Sequence, residues 1–215
     1  MADIGDGTGA IAAEREDAAP GRVPGRARPA RWAKAVTDVG APWVLNAVLP
    51  VWFGVVLGAP WWGVFVAVTA GVLPICMIVA MMVRRRVADV HVTDRSERTA
   101  VLGGIIALVL AGLVIEALAS APAWALVVGA AGLATILAVG AVTVAGRWKV
   151  SVHTAVAGGW VVLAAALVTP WALLAAPSVA VIGWSRVALG DHTKLQVIAG
   201  AVLGAVICGV ASLWA

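Results

Sequence analysis

Charge is scarce in this chain. Only 12% of its 215 residues are Asp, Glu, Lys or Arg, while 62% are hydrophobic and the mean hydropathy is +1.01. A soluble domain carries about a quarter of its residues charged, so this composition excludes one and reads as an integral membrane bundle. Cysteine is scarcer still. Cys76 and Cys208 lie inside apolar runs, without the close spacing or polar company of a disulfide framework or metal site. They are expected to be free, buried thiols. No basic patch is interleaved with aromatics on a polar surface, which excludes a nucleic-acid partner and leaves the net charge of +4 as a matter of topology. The N-terminus lacks the apolar core of a signal peptide. Paired Asp motifs at helix ends, as a magnesium-dependent head-group or prenyl transferase needs, are missing too, because Asp89 and Asp94 alone do not make two of them. A transporter or channel would want polar residues inside several spans, whereas here they gather at one face.

What is present begins with a polar arm. Residues 1–38 mix Asp, Glu and Arg with Pro20, Pro24, Pro29 and several glycines. So few large apolar side chains predict disorder. The arm ends in a basic cluster, Arg22, Arg26, Arg28, Arg31 and Lys34, which reads as a topology anchor. The remainder, residues 39–215, is one membrane domain. Seven apolar runs fall at about 41–58, 62–83, 100–119, 122–145, 152–168, 172–189 and 195–214, each near the roughly 20 residues a crossing requires. The fold class is therefore all-α, a polytopic bundle of six to seven spans. Gly58-Ala59-Pro60 suits a hairpin between the first two runs, and Pro50 and Pro74 suit kinks. Trp43, Trp61, Trp62, Trp124, Trp148, Trp171 and Trp214 lie near run ends, where an interfacial belt is expected. Asn46 is expected to bond across helices, and Glu116, near the uncharged end of the third run, to cap or pair.

The connections alternate. Residues 58–61, 119–123 and 169–171 are short and uncharged, whereas 84–99, 146–151 and 190–194 are polar. With seven spans the polar connections share a side with the arm. All fifteen Lys and Arg residues then fall on that side or at its edge. The positive-inside rule puts that face, and the N-terminus, in the cytosol.

The densest polar stretch is Ser185-Arg-Val-Ala-Leu-Gly-Asp-His-Thr-Lys-Leu-Gln196. Two further stretches precede it. His91, six residues, Arg98 and Thr99 lie in the first polar connection, and Lys149-Val-Ser-Val-His153 in the second. Ser-Arg, five residues, His resembles the third signature, S-R-x5-H-x3-D, of the type 2 phosphatidic acid phosphatase family, within the acid phosphatase and vanadium haloperoxidase superfamily. Gln196 stands where that signature has Asp. Ser151 and His153 match the second signature, P-S-G-H, with Val150 and Val152 replacing Pro and Gly. Arg98 matches the first, K-x6-R-P, with His91 replacing Lys and Thr99 replacing Pro. The three appear in family order at one predicted face, and the resemblance, to divergent bacterial members, covers about residues 39–213.

The resemblance implies a lipid phosphate phosphatase of the bacterial plasma membrane, acting on a prenyl phosphate or diphosphate or on a phosphatidate-like lipid. Its partners would be that substrate and membrane lipids. Arg98 and Arg186 would clamp the phosphate oxygens, Ser151 would donate a hydrogen bond, and Lys149 is a further point charge. His192 would attack phosphorus and carry a phosphohistidine, and His153 would protonate the leaving alkoxide, so no metal or cofactor is needed. On a helix, Gln196 shares a face with His192 and is expected to accept its ring N–H without neutralising the cation. Asp191, adjacent in sequence, is expected to point elsewhere. A homologue with impaired catalysis that binds lipid phosphates is the alternative, and a small transporter a third.

Overall fold

The computed structural model describes residues 31–91 and 95–215, and of residues 95–98 only the backbone. Every regular element among the described residues is helical. In chain order they are α1 (Arg31–Val39), α2 (Pro42–Val56), α3 (Pro60–Ala67), α4 (Leu73–Val83), α5 (Arg95–Leu118), α6 (Ala123–Val144), α7 (Val152–Leu167), α8 (Ala176–Ala188) and α9 (Lys194–Ala211). A π-helical turn, Val68–Val72, joins α3 to α4, and a 3₁₀ turn, Pro170–Ala175, leads into α8. Each of the seven apolar runs is helical. Five stretches are long and apolar enough to cross a membrane: 60–83, 99–118, 123–144, 170–188 and 194–214. The pair α1 and α2, bent by 46° at its break, makes a sixth if it is one crossing. The expected seven needs α7 as well. Its 16 residues reach only about 24 Å at 1.5 Å per residue, short of a ~30 Å hydrocarbon core. Among the described residues the fold is all-α, with five to six stretches able to cross a membrane.

The arm is shorter than expected. Residues 31–38, assigned to the disordered arm by composition, belong to α1. Ala33 and Thr37, four apart and so on one face, are buried, with Lys34 and Asp38 paired at 3.0 Å on the exposed side. Eight residues of mixed composition contain a stripe that a mean hydropathy averages away. Residues 1–30 of the predicted arm lie outside the described set.

Between α2 and α3 the chain turns at Gly58, whose φ of +73° suits glycine. The two helices then pack backbone to backbone, and a Cβ on Gly54 would stand 2.8 Å from Gly63 Cα. Asn46 crosses helices as expected. Its Nδ2 donates to Ala70 O at 3.2 Å, and its Oδ1 accepts from Trp160 Nε1 at 2.8 Å. The tryptophans divide. Trp61, Trp171 and Trp214 are exposed as a belt requires, but Trp124 is buried against Phe53 in the core. Cys208 is buried and Cys76 exposed, both free. The buried expectation failed for Cys76 because an apolar run in lipid has an outward face as apolar as its core. Glu116 is 1% exposed, packed against Gly129.

The closest helix pair is α7 with α9. A Cβ on Gly158 would stand 2.7 Å from Ala201 O. One on Gly200 would meet Ser151 O, and one on Gly204 would run into Ala155 O. Thr154 Oγ1 donates to Val197 O at 2.8 Å, and Ser151 N to Gln196 O at 3.3 Å. Lipid supplies no hydrophobic drive between helices, so small residues that admit close backbone packing, with side-chain bonds across it, hold the pair. Gly204→Ala is therefore expected to destabilise the fold by roughly 1–3 kcal/mol, the usual cost of overpacking, measurable as a lowered unfolding midpoint in detergent. Gly103→Ala, where a Cβ meets nothing within 4 Å, should leave the midpoint unchanged.

Candidate functional site

The site grows out of how α8 ends and α9 begins. After Ala188 the chain passes through Gly190 at φ +76°, and the N–H groups of Asp191 and His192 fold back onto Arg186 O at 3.1 and 3.3 Å. This left-handed C-terminal turn sets His192 over the last turn of α8. Thr193 then caps α9 in a capping box: its Oγ1 accepts from Gln196 N at 3.3 Å, and Gln196 Oε1 accepts from Thr193 N at 3.0 Å. The five-residue interval between Arg186 and His192 is thus one helix end, one turn and one helix start.

Ser151 performs the same service for α7. It is fully buried, its Oγ accepts from Thr154 N at 3.5 Å, and it caps the helix whose first turn carries His153. Because α7 and α9 touch so closely, their N-termini lie together. His153, His192 and Arg186, exposed by 4%, 6% and 1%, line one cavity of about 90 Å³. One residue before Arg186, Ser185 ties α8 to Thr37 of α1. Ser185 Oγ donates to Ile182 O at 2.7 Å, so in its 2.8 Å contact with Thr37 the threonine is the donor.

Three predicted residues, His153, His192 and Arg186, therefore meet. Ser151 and Lys149 do not line that cavity. Ser151 is committed to the helix cap, and Lys149 is half-buried in the connection between α6 and α7. Arg98 falls in the first turn of α5, and its side chain lies outside the described residues. Two expectations need correcting. Gln196 was placed on the His192 ring, but its side-chain oxygen holds the Thr193 N–H; position N3 of a helix serves the cap before it serves a neighbour one turn back. Asp191 does not point away. Its Oδ2 lies 2.9 Å from Arg186 Nη2, because the turn at Gly190 folds residue 191 back over the helix end.

Sequence reasoning passed over a third imidazole. His91 lines the same cavity and stacks on His153, with ring centroids 5.4 Å apart and planes at 22°. Trp43 closes on both rings, at 5.1 Å from His91 and 6.5 Å edge-on to His153. Trp43 was expected in the interfacial belt; it is part of the site instead. Asp38, from α1, reaches His91 Nε2 at 3.5 Å. The signal for His91 was its place at the Lys position of the first signature, noted only as a departure. Nothing in the sequence marks Trp43 or Asp38. Among the described residues no group of three or more His, Cys, Asp or Glu is placed to hold a metal ion.

Burial, and then the nearby Arg186 charge, hold the His91 pKa below the usual imidazole value, with Asp38 and Asp89 pulling the other way. A neutral His91 is thus part of the folded state. Its contribution is present above the unfolded value of about 6.5 and is lost as pH falls through the lower folded value, where the unfolded chain binds the proton first. Thermal unfolding in detergent should shift to lower temperature between pH 7.5 and pH 5. His91→Gln should flatten that slope, and Asp38→Asn, which removes a pull in favour of the proton, should steepen it.

No protein-family model, no curated protein and no solved structure matches this chain.

Proposed function

We propose that this protein is a metal-independent phosphatase of lipid phosphates, with His192 as nucleophile and His153 as general acid. The observation that carries the reading is the meeting of His153, His192 and Arg186 at one buried cavity, although they come from α7, α8 and the turn between α8 and α9. Two imidazoles and a guanidinium in a site largely screened from water are what attack at phosphorus, protonation of a leaving oxygen and stabilisation of equatorial charge require. A His192 ring nitrogen attacks phosphorus in line and forms the P–N bond. The bond to the bridging oxygen breaks, and that oxygen takes a proton from His153 and leaves as the alcohol. Water, deprotonated by His153 in turn, then cleaves the phosphohistidine and releases phosphate. Arg186 holds the equatorial oxygens, Arg98 joins it from the first turn of α5, and Lys149 supplies long-range positive charge. Ser151 contributes by fixing the first turn of α7.

A second reading, a homologue that binds lipid phosphates without turning them over, draws on the Asp191–Arg186 pair and the engaged Gln196. The first offsets the clamp's charge, and the second takes up the acceptor expected to orient His192. Purified protein with a panel of lipid phosphates decides between them. Turnover supports the phosphatase, and saturable binding without phosphate release supports the second reading. Under the phosphatase reading, His192→Ala abolishes release. His153→Ala lowers the rate on alkyl phosphates by about 10²-fold or more but much less on an activated aryl phosphate, whose leaving oxygen needs no proton.

In this reading all seven apolar runs cross the bacterial plasma membrane, α7 in a locally thinned layer, with the arm and the site at the cytosolic face. The basic cluster of the arm supports the orientation. An odd number of crossings places Ala215 outside. A periplasm-dependent alkaline phosphatase fused after Ala215 should be active, and a silent fusion would overturn either the count or the orientation.

A further inference from the structure

A second cavity, of about 120 Å³, adjoins the first inside the bundle. The two share Trp43, Ile136, Val139 and Val152 among their walls. Its α7 wall is a single helical stripe, Val152, Ala155, Val156, Gly159, Trp160 and Leu163. From Val152 to Leu163 that stripe spans about 16 Å at 1.5 Å per residue. One leaflet of a bilayer is about 15 Å deep, half of the ~30 Å core, so the slot is as long as one lipid chain is in its own leaflet. Its volume, spread over that length, admits one chain and not two side by side. The lining is almost wholly apolar. The Asn46 side chain within it is satisfied by Ala70 O and Trp160 Nε1, so it asks nothing of an occupant. On α6 the wall includes Gly132, where a Cβ would meet nothing within 4 Å.

We infer that this slot takes the hydrocarbon chain of the substrate inside the bundle, and that the substrate class is the single-chain lipid phosphate rather than diacyl phosphatidate. The inference rests on the phosphatase reading for its head group, since the slot shares walls with the cavity that His153 and His192 line. The phosphate sits among the imidazoles, and the chain follows the α7 stripe towards Leu163 and Cys208. A second acyl chain has no slot and would have to leave the bundle at the level of the head group. The selectivity is one of shape, and burying the chain against protein instead of lipid rewards a length that fills the slot.

The test uses the full chain in detergent with three sets of substrates: prenyl phosphates of increasing length, straight single-chain alkyl phosphates of matched length, and diacyl phosphatidate. Hydrolysis should rise in kcat/KM with chain length up to a leaflet's depth and then level. Phosphatidate should trail the best single-chain substrate by at least tenfold. Gly132→Leu, which projects into the slot, should collapse the ratio of long-chain to short-chain kcat/KM by about tenfold. Gly103→Leu, at an exposed position outside both cavities, should keep that ratio. A better response to prenyl than to straight chains identifies an isoprenoid, and equal responses identify any single chain. Photo-crosslinking with a prenyl phosphate carrying a diazirine at its far end reads the inference without turnover. Labelling of the α6 and α7 walls supports it, and labelling confined to outward residues such as Val202 or Leu173 overturns it. Turnover with no dependence on chain length, or with phosphatidate preferred, also overturns it. If no substrate releases phosphate, the phosphatase reading fails, and the crosslink still decides whether the slot holds a chain.

Discussion

The approach of α7 to α9 is the constraint on which the site depends. At Gly158, Gly200 and Gly204 the two backbones stand closer than any side chain allows. The bonds from Thr154 to Val197 O and from Ser151 N to Gln196 O fix their register. Since His153 lies in the first turn of α7 and His192 just before the cap of α9, that contact decides the separation of the two imidazoles. Were larger residues to push the helices apart, the histidines would separate with them, whatever became of the rest of the bundle.

The remaining polar groups are managed according to depth. At the polar end, Arg186 is paired with Asp191 by the turn at Gly190, and His91 is set among Trp43, His153 and Asp38. Mid-bundle, Asn46 spends both ends of its amide on protein partners. Every such group in lipid must find its partner inside the protein. Among the described residues, the exposed Arg84, Arg85, Arg86 and Arg147 lie in the connections, and Lys194 at the start of α9.

The helical class, the position of every apolar run and three of the residues that meet at the candidate site were legible in the sequence. They depend on local periodicity and on a spacing that a helix end enforces. What was not legible depends on tertiary approach. Trp43 at the end of an apolar run reads as an interfacial anchor until α2 is seen to place it on two imidazoles. Asp38 reads as one more polar residue of the arm, since the stripe that docks α1 on α8 is only Ala33 and Thr37. Gln196 reads as a partner for His192 because both lie within a turn. The capping box, which competes for the same oxygen, was written in Thr193 and Gln196 but outweighed by the family signature.

The connection between α8 and α9 has a consequence for how this chain can change over evolutionary time. Both N–H groups that return to Arg186 O come from the residues immediately after Gly190. An inserted or deleted residue there would undo the turn, the Asp191 pair and the placement of His192 in a single step. Side-chain identities around it can change one at a time, but the interval itself is closed to gradual variation. In such a chain the count of residues between two groups constrains the placement of His192 more tightly than the identities of the residues that fill the count.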